Sequence, residues 1–191
     1  MIQTREDLAF YLREDARVNI KRERCGCIRM AANLWYGNDS YRVFRYLKAL
    51  RKYEFAINGG RGWFGTIRKA LAKARWHRLG ARYHININPN VVGYGFRVPH
   101  LVGGVIINCF SVGHYCTANS GVIVGNNNKG GMARIGNNVD LSVGCKVIGG
   151  VQIGDDVIVA PNSVVVKDVP DHCIVSGVPA IIIKQGGKKV I

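Results

Sequence analysis

The chain has 191 residues, 48% of them hydrophobic, and carries 27 Lys and Arg against 12 Asp and Glu for a formal net charge of +15. That length can bury a core in one domain or two small ones. No apolar run reaches the ~18 residues of a membrane-spanning helix, and the opening MIQTREDLAFYLRED lacks the apolar centre of a secretory signal, so a cytoplasmic protein is expected.

The elements read in chain order begin with helices. Residues 4–16 suit a short amphipathic helix, with Thr4 as cap, Asp7 three residues on, and Leu8, Tyr11 and Leu12 on one face. Residues 18–38 are irregular, with a short helix drawn at 28–36. Cys25 and Cys27 have no matching pair elsewhere to complete a metal site. Asp39 or Ser40 can cap a second helix over 41–55, which lines up Val43, Tyr46, Leu47 and Leu50. Gly59, Gly60 and Gly62 break it. A third helix over 63–79 has Phe64, Ile67, Leu71 and Trp76 as its apolar side and Arg68, Lys69, Lys73 and Arg75 outside, and Gly80 ends it. Residues 1–85 hold 19 Lys and Arg against 7 Asp and Glu, so most of the positive charge lies in this helical part. Such a face could meet anionic lipid or an acidic glycan. No nucleic-acid recognition module is visible, and nucleic acid is not expected as a partner.

From Ile85 the pattern changes. Ile135, Leu141, Val147, Ile153, Val159 and Val165 fall on every sixth residue. A period of six fits neither a helix nor a lone strand. It fits a flat strand and a turn, repeated, that stack one side chain into an interior column, the hexapeptide signature of a parallel β-helix. Val92 and Val98 are in phase with each other, as are Val112, Ala118 and Val124. A second column holds Cys116, Val122, Val139, Cys145, Val151, Val157 and Ser163, all small or β-branched. The steps between these sets place a bulge near 99–111 and a polar loop at 126–134. Cys109, Cys116 and Cys145 lie on the repeat and are expected as buried thiols rather than disulfides. The stretch after Lys184 is expected to fray.

The segments Ile87-Asn88-Pro89, Val98-Pro99-His100, Gly103 to Asn108, Ile135 to Asn138 and Gly177-Val178-Pro179-Ala180 together resemble the hexapeptide-repeat acyltransferases. Within them the chain looks most like serine acetyltransferases and related polysaccharide O-acetyltransferases. The resemblance implies a mainly β fold, a left-handed parallel β-helix with an N-terminal α-helical region. The division is 1–82 helical, 83–184 β-helix acyltransferase domain and 185–191 tail. It implies a homotrimer that uses acetyl-CoA and no metal.

The family's catalytic histidine corresponds to His100, and the residue that orients it to Asn86, where the family has an aspartate. By position Gly125, Ser142, Gly144, Ala160 and Pro161 would line the coenzyme A groove, and Lys167 and Lys184 could meet its phosphates. One histidine suffices for the chemistry, because an imidazole can take the proton of an alcohol attacking an already activated thioester. Serine acetyltransferases place an Arg-His pair in the loop to grip the amino acid; Gly131 and Met132 stand there instead. That difference directs the expectation to a sugar hydroxyl in surface-polysaccharide synthesis, with peripheral contact to an anionic membrane or glycan through the basic helices. Serine O-acetyl transfer is the alternative within the enzyme class, and a silent scaffold or membrane-binding protein the alternative outside it. Among the other histidines, His114 resembles one zinc ligand of the β-helix carbonic anhydrases, but Asn119 stands where a second would be. His84 is a candidate partner for His100, and His77 and His172 read as surface.

Overall fold

The computed structural model describes residues 1–20, 38–59, 62–127 and 130–190. Cys25, Cys27 and the helix drawn at 28–36 lie outside them. Three helices precede the strands among the described residues: α1 (Arg5–Asn19), α2 (Asp39–Gly59) and α3 (Gly62–Tyr83). The Thr4 hydroxyl accepts from the Asp7 N–H at 3.0 Å, and the Asp7 carboxylate accepts from the Thr4 N–H at 2.9 Å. This is the reciprocal cap read from the sequence. At α2 the capping oxygen is that of Asn38, which accepts from the Ser40 N–H at 3.0 Å, rather than Asp39 or Ser40. α3 does not stop at Gly80. A Cβ there would lie 2.8 Å from the Ile85 carbonyl oxygen, so this glycine serves close approach of helix to strand instead of ending the helix.

The strands form three parallel faces of a left-handed β-helix. Face A stacks β1 (Ile85–Ile87), β2 (Val105–Ile107), β5 (Val122–Gly125), β8 (Lys146–Ile148) and β11 (Val164–Val165). Face B stacks β3 (Ser111–Val112), β6 (Arg134–Ile135) and β9 (Gln152–Ile153). Face C stacks β4 (Thr117–Ala118), β7 (Asp140–Leu141), β10 (Ile158–Val159) and β12 (Cys173–Gly177). Every residue of the two six-residue columns is buried, from Val92 to Val165 and from Cys116 to Ser163. Each coil thus hides the same two positions per face, which is why the period survives in the sequence. The expected frayed tail is instead paired. Gly177 to Ala180 reverses the chain, and β13 (Ala180–Gln185) and β14 (Lys188–Lys189) extend face C antiparallel. Ordinary ladder bonds hold this hairpin, although its alternation of burial is too weak to read from sequence.

The first coil has no coil above it, and its backbone groups need partners. The helices supply them with polar side chains. Asp15 Oδ1 accepts from the Gly95 and Phe96 N–H groups at 2.9 and 3.2 Å. Asn19 donates to the Phe96 carbonyl at 2.8 Å and accepts from the Val98 N–H at 3.2 Å. Glu54 accepts from the Asn90 N–H at 2.7 Å. Arg51 donates to the Val92 and Gly93 carbonyls at 2.8 and 2.5 Å, and to Asp15 and Glu54 at 2.9 and 3.1 Å. Arg51 and Asp15 are fully buried. Burial works against the Arg51 charge, but Asp15 and Glu54 outweigh it and hold the guanidinium charged. One apolar core runs from Val43, Tyr46 and Leu50 of α2 without a break into the coils.

Alkaline pH should loosen this core. Burial pushes the Tyr46 phenol up to about 12, against hydrogen bonds from the Trp76 ring N–H and the Ile87 N–H. Burial likewise pushes Cys109 and Cys145 up to about 12 and Cys116 up to about 11. In the unfolded chain these groups lose their protons near their ordinary values, ~8.5 for Cys and ~10 for Tyr. From about pH 8.5 to 12 the folded state therefore holds more protons than the unfolded state, and stability falls as pH rises. Urea midpoints measured from pH 8 to 11 should decline steadily; a flat profile would contradict the burial of these groups.

Candidate active site

The turn that carries His100 is longer than its counterparts. Arg97 pairs with Thr117 and Ile106 with Ile123, so nine residues separate the two positions in the first coil and six in the second. The next pair down, Asp140 and Lys146, is also six apart. Three extra residues therefore push the segment from Pro99 to Gly104 outward, and His100 is exposed. Gly103 and Gly104 close the excursion at φ +86° and +73°, where a side chain is strained. The Val105 N–H then donates to the His84 carbonyl at 3.0 Å and starts β2.

Below His100 lies a column of corner residues. The Ser120 hydroxyl donates to the His100 carbonyl at 3.4 Å. The Gly121 N–H donates to the Gly104 carbonyl at 2.7 Å, the Gly144 N–H to Ser120 at 2.8 Å and the Asn162 N–H to Val143 at 2.9 Å. Ser142, Gly144, Ala160 and Pro161 thus share one corner of the coil with His100. A Cβ at Gly144 would strike the Asn162 side-chain oxygen.

Gly125 and Lys167 lie at the other end of face A. Gly125 ends β5, its carbonyl accepts from the Gly149 N–H at 2.9 Å, and a Cβ added there would meet nothing within 4 Å among the described residues. Lys167 follows β11 and is exposed. A strand of three to four residues spans roughly 10–13 Å, so only an extended ligand could reach both corners. Lys184 is exposed on face C opposite Ile174, on a different face from the other positions.

Asn86 sits in the middle of β1 on its outer side, in register with Ile106. It lines a cleft of about 480 Å³ with Trp76, His77, His84, Gly103 and Gly104. The cleft runs between the end of α3 and the foot of the His100 turn. His77, read as plain surface from the sequence, therefore faces this cleft, with its ring 4.4 Å from that of Trp76. His84 bridges α3 and β1 at φ +55°. Among the described residues the Asn86 amide makes no hydrogen bond to the His100 ring. His172 is exposed and meets Asp156 at 3.2 Å.

Three polar residues beside this corner escaped the sequence reading as a group. Arg97, Asn119 and Asp140 come together on the outside of face C. The Asn119 amide donates to Asp140 at 3.3 Å and to the Leu141 carbonyl at 3.4 Å. Burial pushes the Asp140 carboxyl up, while Arg97 and Asn119 pull it down. The signal for them was the register across the 126–134 loop: Ile123 and Arg134 are eleven apart, against six for Lys146 and Gln152. Without those five extra residues in place, Asp140 cannot be stacked on Thr117.

Within the loop Gly131 is exposed and Met132 is 38% exposed. Arg134 lays its guanidinium 3.4 Å over the Phe110 ring. His114 stacks on Tyr94 at 3.8 Å between ring centres, and its buried Nδ1 has no hydrogen-bond partner among the described residues. Burial pushes its imidazole down toward the neutral form. Among the described residues no three His, Cys, Asp or Glu side chains are placed to share a metal. Cys109, Cys116, Cys145 and Cys173 are buried and unpaired. With their thiols pushed up they are poor nucleophiles at neutral pH. The exposed imidazole of His100 is the group at this corner suited to proton transfer.

The parallel β-helix agrees with the resemblance to hexapeptide-repeat acyltransferases read from the sequence, and the comparisons agree with it too. No family profile matches the chain. A serine acetyltransferase from Synechococcus elongatus is 37% identical over 110 residues, which is 56% of this chain and 45% of that protein. One from Staphylococcus aureus (strain Mu50) is 36% identical over 110 residues, 56% of this chain and 52% of that protein. The chain spans about half the length of the relatives it matches. Among solved structures, the Brucella abortus serine acetyltransferase superposes with a TM-score of 0.69 at 22% identity, over 94% of this chain and 70% of that one. A serine acetyltransferase in complex with CoA gives 0.70 at 19% identity, over 94% and 71%. The soybean enzyme complexed with serine gives 0.69 at 23%, over 92% and 69%. The chain is thus similar in sequence to serine acetyltransferases and shares their fold.

Proposed function

We propose that this chain is an O-acetyltransferase that moves an acetyl group from acetyl-CoA to a hydroxyl, with His100 as general base. The observation that carries the reading is the three-residue expansion that sets His100 at the head of the corner holding Ser142, Gly144, Ala160 and Pro161. An extended thioester laid along face A would put its acyl end at this corner and its phosphates toward Gly125 and Lys167. The His100 imidazole takes the proton of the acceptor hydroxyl as its oxygen attacks the thioester carbonyl. The C–S bond then breaks, and the departing sulfur takes that proton from the imidazolium. Asn86, His84 and His77 line the neighbouring cleft and would hold the acceptor. Lys184, on face C, is left without a role in this arrangement. A trimer, in which a second copy walls the groove, remains part of the proposal.

The relatives and structural neighbours favour the serine hydroxyl over the polysaccharide hydroxyl first expected. Serine is therefore the leading acceptor. Gly131 and Met132 keep the sugar as the second reading, because neither offers a partner for the amino acid's carboxylate. Thiol release from acetyl-CoA, measured with L-serine and with a panel of nucleotide-linked sugars, decides between them. Turnover with serine is expected. Turnover with a sugar alone would overturn the serine assignment. Absence of turnover with every acceptor, together with no coenzyme A binding, would overturn the enzyme reading.

A further inference from the structure

Two adjoining clefts on the helical region take no part in the chemistry above. One, of about 240 Å³ between α2 and α3, is lined by Arg45, Lys48, Lys52 and Arg75 with Phe44 beside them. The other, of about 520 Å³, has Phe55, Phe64, Ile67 and Leu71 as its wall and Arg68 at its rim. Lys52 and Arg75 line both. The stripe Phe64, Ile67, Leu71, read from the sequence as a core-facing side, faces solvent instead. Phe64 is 87% exposed, Leu71 68% and the neighbouring Trp63 78%. The buried side of α3 is that of Trp76, Leu79 and Tyr83.

Among the described residues every charged residue lining the two clefts is basic, and α3 carries six Lys and Arg and no acid. Exposed apolar area of this kind calls for a cover. A second copy of the same face would set these cations against one another in a chain of net charge +15. A nucleic acid would match the charge but leave the aromatic stripe in water. An anionic bilayer satisfies both, since its headgroups take the cations and its acyl boundary takes the apolar side chains.

We propose that this face docks the protein on an anionic lipid surface. The headgroups would enter the Arg45, Lys48, Lys52 and Arg75 cleft, and Phe64, Ile67 and Leu71 would reach the acyl boundary.

Co-sedimentation of the full chain with phosphatidylcholine vesicles, and with vesicles that also contain phosphatidylserine, tests this. Binding is expected only to the second kind and should weaken as salt rises. The triple variant Lys48→Glu, Lys52→Glu, Arg75→Glu should lower partitioning by roughly a hundredfold or more, since each basic residue near the surface contributes ~1 kcal/mol. Phe64→Glu with Leu71→Glu should do the same. All five positions are exposed, so unchanged urea midpoints serve as the folding control. Equal binding to neutral vesicles, or none to either, would overturn the proposal. A concentration-dependent rise in mass that the Phe64 and Leu71 variant abolishes would also overturn it, by assigning the face to a second copy.

Discussion

Replacing His100 with alanine should lower the turnover number by roughly 10²–10⁴-fold, the range a positioned general base supplies, while coenzyme A still binds. The expectation follows from where the residue sits. Its side chain is exposed and makes no hydrogen bond among the described residues. The fold holds this position through the backbone, where Ser120 donates to the His100 carbonyl. Alanine keeps that bond, so the variant should fold as the parent does, and any loss of rate belongs to the imidazole. The positions proposed to line the coenzyme groove, Ser142, Gly144, Ala160 and Pro161, belong to lower coils and stay in place. Steady-state thiol release and calorimetric coenzyme A binding should therefore separate, with the first lost and the second kept. Turnover within tenfold of the parent would remove His100 from the mechanism and turn attention to His84 or Asp140. Loss of both activity and binding would point to a damaged groove.

The β-helix was legible because its coils repeat one requirement. Each coil must bury two small or branched side chains per face, and that demand reaches the sequence as a six-residue period from Val92 to Val165. The breaks in the period were legible for the same reason, and one of them exposes His100. What did not show is everything set by contact between distant segments. α1 buries three polar residues: Asp15 and Asn19 because the open first coil needs donors and acceptors there, and Glu14 because it accepts from the Tyr115 hydroxyl of the next coil. An amphipathicity argument assigns those residues to solvent. The reverse error occurs on α3, where Phe64, Ile67 and Leu71 keep helical spacing yet face outward. Asp140 could be placed beside Asn119 only with the loop length known, since register and not local pattern brings them together. The C-terminal hairpin was missed because its β13 alternates weakly and its β14 is fully exposed.

Arg51→Ala is expected to cost about 3–5 kcal/mol of stability, the range for removing one partner from a buried charge cluster. The guanidinium is fully buried between α2 and the first coil, and it is the shared donor for two carboxylates and two backbone carbonyls. Its loss leaves Asp15 and Glu54 as buried carboxylates, each still tied to coil N–H groups, and leaves the Val92 and Gly93 carbonyls without their donor. Lysine should not restore it, because a single ammonium cannot span that planar set. The ion pair of Arg13 with the buried Glu14 supplies the contrast, because Arg17 and the Tyr115 hydroxyl also hold that carboxylate. Its Arg13 side chain is 70% exposed, and Arg13→Ala should change stability by less than about 1 kcal/mol. Urea unfolding of both variants at one fixed protein concentration measures the difference. A loss below about 1 kcal/mol for Arg51→Ala would mean that the apolar packing of Tyr46, Leu47 and Leu50 alone seats the helices on the coil. A loss in the expected range would mean that the polar cluster fixes how the first coil, and with it the His100 turn one corner away, is closed.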